Sequence, residues 1–369
     1  MDAPFNPSRL TLARQRAKLS KKELAKRAQI ALNSLGHYEG GARVPPPEAV
    51  AQLGGATGFG VDFFYGDDFE VPSPQNASFR SFSRMTSAQR DAALASGGIA
   101  FALGDWLASQ FNLPPVEVPD LEGMEPEAAA DLVRAQWGLG VLPIKNVVHL
   151  LESRGVRVFS LVEDSREVNA FSSWQGGAIP YVFLNTLKSS ESSRFDAAHE
   201  LGHLVLHRHG DPKGKEVEQQ ANEFAGAFLL PRLEMLALAG RCRTVADIMK
   251  IKKRWNVSAM ALVYRLHRVG VLTDWLYRSM CIELSRQGFR TQEEDSAERE
   301  GSLVIKKVFD VMRQQGRGFR DIARELRVPI EELHKLVFGL TAVALGTDNP
   351  KPARTPQRRG HLSLVGSGN

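Results

Sequence analysis

The sequence predicts an α+β chain that is mostly helical, and three observations carry this. Residues 8–65 and 244–340 space their apolar side chains at helical intervals. Residues 156–184 instead hold three short apolar or alternating runs, and Gln175-Gly176-Gly177 supplies a hairpin turn between the last two. With 369 residues, 43% hydrophobic and 24% charged, the chain has the composition of two or three globular domains, and neither a fibre nor a membrane protein fits.

The elements follow in order. Leu10, Ala13, Ala17 and Leu19 mark a first helix, and Ser20-Lys21-Lys22-Glu23 is a capping box that opens a second. A third short helix over 31–38 ends at Gly40-Gly41, and Val44-Pro45-Pro46-Pro47 opens a fourth. Residues 1–68 therefore form a bundle containing a helix, a tight turn and a helix. Residues 69–126 are expected to be a linker at 70–77, a helix over 86–111 and a proline-rich acidic break. Within 127–235 come helices at 127–138 and 144–153, strands at 156–162, 168–174 and 179–184, then helices at 192–207 and 216–230. The last two are separated by Gly210-Asp211-Pro212 and ended by Pro231. Residues 236–346 are expected to be a helical C-terminal domain whose pair at 319–326 and 328–333 forms a helical hairpin. The tail 347–369, with Lys351, Arg354, Arg358 and Arg359 and no apolar period, is expected to be disordered.

Charge is unevenly placed. Residues 1–50 hold nine Lys/Arg against four acids, so the net +5 of the whole chain lies there, the footprint expected of a polyanion partner. The two cysteines, Cys242 and Cys281, give neither a disulfide framework nor a cysteine metal cluster. Residues 1–10 lack an apolar signal core, and the apolar stretch 98–111 is interrupted by Asp105, so a cytoplasmic location is expected.

His199-Glu200-Leu201-Gly202-His203 carries the most chemistry. On a helix its two imidazoles project from one face and can share a zinc ion at about 2.0–2.1 Å from each nitrogen. Glu200 beside them is placed to take a proton from water and make the nucleophile for amide hydrolysis. Phe195, Ala198, Leu201, Val205 and Leu206 make this helix apolar over much of its surface, so the histidines are expected inside a domain, where they need partners.

The third ligand needs a separate argument. His209 has the spacing of the longer His-x-x-x-His-x-x-Gly-x-x-His pattern, but Leu206 stands where that pattern turns on glycine. His207 lies about 12 Å along the helix axis from His199, too far to share its ion. The next helix offers Glu216, Glu218 and Glu223. Glu218 shares the stripe of Ala221, Asn222 and Ala225 and is the expected ligand, with Glu223 second. Tyr181, Arg194, His207 and His209 are candidates for stabilising an oxyanion, and the strand 179–184 is expected to accept an extended peptide. The rival expectation is a transcription factor without turnover, whose zinc is structural or sensory. A structural site closes all four positions with protein ligands, whereas three convincing ligands and an intact Glu200 favour hydrolysis.

At these residues the chain resembles the ImmA/IrrE metallopeptidases over about 130–235. The blocks that carry the resemblance are Pro180-Tyr181-Val182-Phe183-Leu184-Asn185, Arg194-Phe195-Asp196-Ala197-Ala198 running into His199-Glu200-Leu201-Gly202-His203-Leu204, Glu218-x-x-Ala221-Asn222-x-Phe224-Ala225, and Phe228-Leu229-Leu230-Pro231. The resemblance implies a zincin-like fold, Zn2+ on His199, His203 and Glu218, and Glu200 as general base. It also implies a protein substrate such as a repressor controlling mobile elements, stress responses or phage defence. Residues 10–65, with Leu24-Ala25, Ile30, Leu35 and Tyr38-Glu39-x-Gly41, resemble the XRE/Cro-type helix-turn-helix. That resemblance implies double-stranded DNA as partner, Asn33, Ser34 and His37 facing bases, and Lys21, Lys22 and Arg43 on phosphate, with a homodimer as the candidate assembly. Lys21 stands where the family often has glutamine, and the recognition helix opens Ala31-Leu32, offering few donors to base edges.

Overall fold

Capping residues written into the sequence set where the N-terminal helices start. Asn6 accepts from the amides of Ser8 and Arg9 to open α1 (Pro7–Arg16), and Ser20 with Glu23 closes the expected capping box of α2 (Lys21–Arg27). A turn through Gln29 leads to α3 (Leu32–Glu39), and a proline at its first position begins α4 (Pro47–Thr57). The computed structural model describes residues 4–73, 85–161, 170–209, 214–289 and 297–341. Beyond the N-terminal module come α5 (Ser87–Gln110), α6 (Pro126–Gln136) and α7 (Val147–Ser153), then strands β1 (Arg157–Ser160), β2 (Phe171–Gln175) and β3 (Ile179–Leu184). They are followed by α8 (Ser190–Leu206), α9 (Lys215–Leu229), α10 (Arg232–Leu236), α11 (Val245–Trp255), α12 (Ala259–Arg268), α13 (Asp274–Arg286), α14 (Leu303–Gln314), α15 (Phe319–Leu326) and α16 (Ile330–Val337).

The strand order is β1-β3-β2, with β1 parallel and β2 antiparallel to β3. Strand alternation sends Phe159, Phe171, Tyr181 and Phe183 to one face and Val158, Val182 and Leu184 to the other, so the sheet divides two cores. On the aromatic face Phe171 stacks on Phe183 at 4.2 Å, and Phe101 of α5 lies 4.5 Å from Tyr181. Gly104 admits the Tyr181 ring, since a Cβ there would stand 2.1 Å from its hydroxyl. The aliphatic face carries α8, with α6 and α9 behind it.

Three expectations are corrected by packing. The strand 179–184 is the centre of the sheet, bonded on both sides, so among the described residues the edge strands are β1 and β2, and β2 is the one that carries Ser172 beside Glu200. The apolar stretch interrupted by Asp105 is longer than expected. The helix foreseen over 86–111 is α5, in which Asp105 accepts from Gln175 Nε2 at 2.9 Å, and its 24 residues are long and apolar enough to cross a membrane, yet 78% of its most apolar window is buried inside the fold. The expected C-terminal domain 236–346 is divided between the two cores. Helices α11–α13 join α6–α9, whereas Ile305, Val308, Met312, Leu333 and Leu336 of α14 and α16 pack with α1, α5 and the aromatic face of the sheet. These helices carry more apolar surface than a hairpin buries by itself, and the sheet and α5 supply the covering partner.

Polar contacts fix this union. Arg16 of α1 pairs with Glu332 of α16 at 2.5 Å, and Trp106 Nε1 donates to Glu325 at 2.6 Å. Glu152 in α7 accepts from the first amides of α14, Leu303 and Val304, and from the Ser302 hydroxyl. Glu300 reciprocates on the first amides of α7, Val147 and Val148. The expected stop at Gly210-Asp211-Pro212, the outer ends of the first two strands at Val162 and Val168, the linker beyond Ser73 and the tail 347–369 lie outside the described residues.

Candidate metal centre

Ser189 caps α8, and the apolar surface foreseen in the sequence buries that helix so thoroughly that His199, Glu200 and His203 are each at most 3% exposed. Gly202, between the two histidines, sets the approach of α9. A Cβ at Gly202 would lie 3.1 Å from the Phe224 ring and 3.3 Å from the Ala221 backbone, so a larger residue would push α9 back by a few tenths of an ångström. That approach brings Glu218 over the imidazoles. His199 Nε2 and His203 Nε2 are 3.1 Å apart, and each is 3.5 Å from a Glu218 carboxylate oxygen.

Electrostatics set the protonation states. Burial lowers the pKa of His203 and keeps its ring neutral. Burial alone would raise the Glu218 carboxyl, but the facing imidazoles of His199 and His203 outweigh it and hold the group low. With both Nε2 atoms unprotonated, the two imidazoles and the carboxylate are the donor set that binds a cation. Glu200 points toward the sheet, where the Ser172 hydroxyl of β2 donates to its Oε2 at 2.8 Å. The sequence did not single out Ser172. The alternation of β2 marks it as facing α8, but only the packing of that strand on the helix names its partner.

The remaining candidates are placed elsewhere. Tyr181 is on the aromatic face, away from α8, and burial there raises its pKa. Arg194 pairs with Glu300 and donates to the Ile144 carbonyl, tying α8 to α7. His209 is exposed, 2.6 Å from Asp120 Oδ2, in a separate group with Glu122. Glu216 is exposed and Glu223 pairs with Arg268 at 2.6 Å. His207 abuts the site from behind, with Nδ1 3.1 Å from His203 Nδ1 and Nε2 2.8 Å from Gln220 Oε1, so both its nitrogens are engaged and neither is available for an oxyanion.

In the N-terminal module Asn33 and His37 are exposed on α3, Ser34 is half-buried, Lys21 and Lys22 are exposed at the start of α2, and Arg43 is exposed after α3. Lys21 Nζ is 3.1 Å from Glu39 Oε2 yet its side chain remains about half exposed. Part of the basic excess turns inward: Arg16 meets Glu332, and buried Arg9 donates to the Asp67 carbonyl at 2.7 Å.

Residues 151–267 match the family model of a peptidase group described as the IrrE N-terminal-like domain, and residues 8–62 match a helix-turn-helix domain. The chain pairs a helix-turn-helix domain with an ImmA/IrrE domain. No curated protein matches it. The ImmA/IrrE match runs past residue 235 through α11 and α12, whose Ile248, Leu262 and Leu266 share the core of α8 and α9. It contains the whole cluster of His199, His203 and Glu218 together with Glu200 and Ser172.

Proposed function

We propose that the chain is a cytoplasmic DNA-binding regulator whose ImmA/IrrE domain is a zinc-dependent endopeptidase that cleaves a protein, a repressor being the leading substrate. The observation that carries this is the convergence of three donors on one point with Glu200 alongside. A tetrahedral zinc with bonds of about 2.05 Å keeps its ligand atoms about 3.3 Å apart; here the two Nε2 atoms are 3.1 Å apart, with Glu218 Oε2 3.5 Å from His199 and Oε1 3.5 Å from His203. Two imidazoles and one carboxylate also leave a coordination position open, the donor set of catalytic rather than structural zinc.

When bound, zinc supplies Lewis acidity at the scissile carbonyl. The protein's own groups do the rest. Glu200, fixed by Ser172, accepts a proton from the attacking water and returns it to the leaving amine. The open edge of β2, whose Ser172 and Trp174 face α8, offers backbone hydrogen bonds to an extended peptide lying along the site, which favours protein over small amides as substrate. In the N-terminal domain Asn33, Ser34 and His37 are assigned to base edges, and Lys21, Lys22 and Arg43 to phosphates of double-stranded DNA. The deciding experiment is co-expression with proteins encoded beside this one, scored for cleavage with the intact chain and with Glu200→Gln. Cleavage by the former only is expected. Equal cleavage by both overturns the assignment of Glu200, and a metal-free chain that takes up no added zinc overturns the endopeptidase.

A further inference from the structure

His207 ends α8, and its ring lies behind His203. Because His203 Nε2 faces His199 and Glu218, the remaining nitrogen, Nδ1, points away from the donor cluster and meets His207 Nδ1 at 3.1 Å. The far nitrogen of His207 reaches the amide oxygen of Gln220 on α9 at 2.8 Å. For neutral rings one assignment of protons satisfies the two contacts of His207, to His203 Nδ1 and to Gln220 Oε1. An amide oxygen only accepts, so His207 Nε2 carries a proton and His207 Nδ1 has a lone pair. That lone pair accepts from His203 Nδ1–H, which leaves the His203 Nε2 lone pair directed at the cluster.

We propose that His207 and Gln220 are positioning residues that hold His203 in its Nδ1–H tautomer and fix its ring plane, so that Nε2 is presented to the metal. The inference rests on the assignment of His203 as a metal ligand made above. Helix α9 then acts on both sides of the site, with Glu218 donating to the ion and Gln220, two residues on, terminating the chain behind His203. His199 differs, because its Nδ1 is buried with no hydrogen-bond partner among the described residues. Contacts of this outer kind change metal affinity roughly 10- to 100-fold when removed.

The test is zinc affinity by competition with a chromophoric chelator, together with the visible spectrum of the cobalt-loaded protein, for the intact chain, His207→Ala, His207→Asn, Gln220→Leu and His209→Ala. His207→Ala and Gln220→Leu are expected to weaken zinc roughly 10- to 100-fold and to shift the cobalt bands. His207→Asn, whose amide oxygen takes the place of Nδ1 as acceptor, is expected to recover most of the loss, and His209→Ala to change nothing. Intact affinity and an unchanged cobalt spectrum in both His207→Ala and Gln220→Leu overturn the proposal while leaving the metal site standing. A loss in His207→Asn as large as in His207→Ala also overturns it, reducing His207 to packing. If the intact chain binds no zinc, this proposal and the metal site fall together.

Discussion

At the scale of single residues, the proposed function gives holding a metal and moving protons to different carboxylates. Glu218 faces the two Nε2 atoms, whereas Glu200 turns to Ser172 on the strand side. Ser172→Ala is therefore expected to leave zinc content unchanged and to lower hydrolysis about tenfold, a fraction of the roughly 100- to 10,000-fold that a positioned general base contributes. Metal analysis and a cleavage time course check the two halves of that statement. The pentapeptide and the inward stripe of the following helix made the three converging donors legible in the sequence. Ser172 and Gln220 were not, because each acts through a side-chain contact between packed elements, 28 residues from Glu200 and 13 from His207, that only the folded arrangement specifies.

At the scale of elements, helix ends carry the unexpected chemistry. Glu152 of α7 is buried against the start of α14, and burial outweighs its hydrogen bonds from Ser302, Val304 and Leu303, raising its pKa from 4.5 to about 7. The folded chain thus binds a proton that the unfolded chain releases between about pH 4.5 and pH 7. Across that window Glu152 makes stability fall as pH rises, its favourable contribution being complete below the unfolded value and gone above the folded one. Glu152→Gln is expected to flatten this part of a pH series of thermal melts, and an unchanged slope would place the effect elsewhere. Helix positions were readable from caps and periodicity. The destination of α14–α16 was not, since an apolar stripe states that a helix must be covered and leaves open whether a neighbour in sequence or a distant sheet covers it.

At the scale of the whole molecule, the helix-turn-helix shares its core with α5 and the C-terminal helices while the face with Lys21, Lys22, Asn33, His37 and Arg43 stays exposed. Removing one partner of the buried Arg16–Glu332 pair leaves a buried charge, which costs about 3–5 kcal/mol. Lys335, 2.7 Å from the same carboxylate, remains, so Arg16→Ala is expected near about 3 kcal/mol in chemical denaturation. Inward-facing Arg9 and Arg16 release no counterions. With Lys21, Lys22 and Arg43 on phosphate, log K for duplex DNA is expected to fall against log salt with a slope of about −3 per protomer. A slope twice as steep would mean that other cations take part. Composition revealed the basic excess of the first 50 residues, but the folded chain decides which of those charges DNA can meet.

The central claim is that one ion is held by His199, His203 and Glu218, and zinc content per chain tests it most directly. The expected result is about one zinc in the intact protein, in Glu200→Gln and in His209→Ala, with a sharp loss in Glu218→Ala. Zinc retained by Glu218→Ala and lost by His209→Ala would contradict the account, because the ligand would then come from the end of α8 instead of from α9.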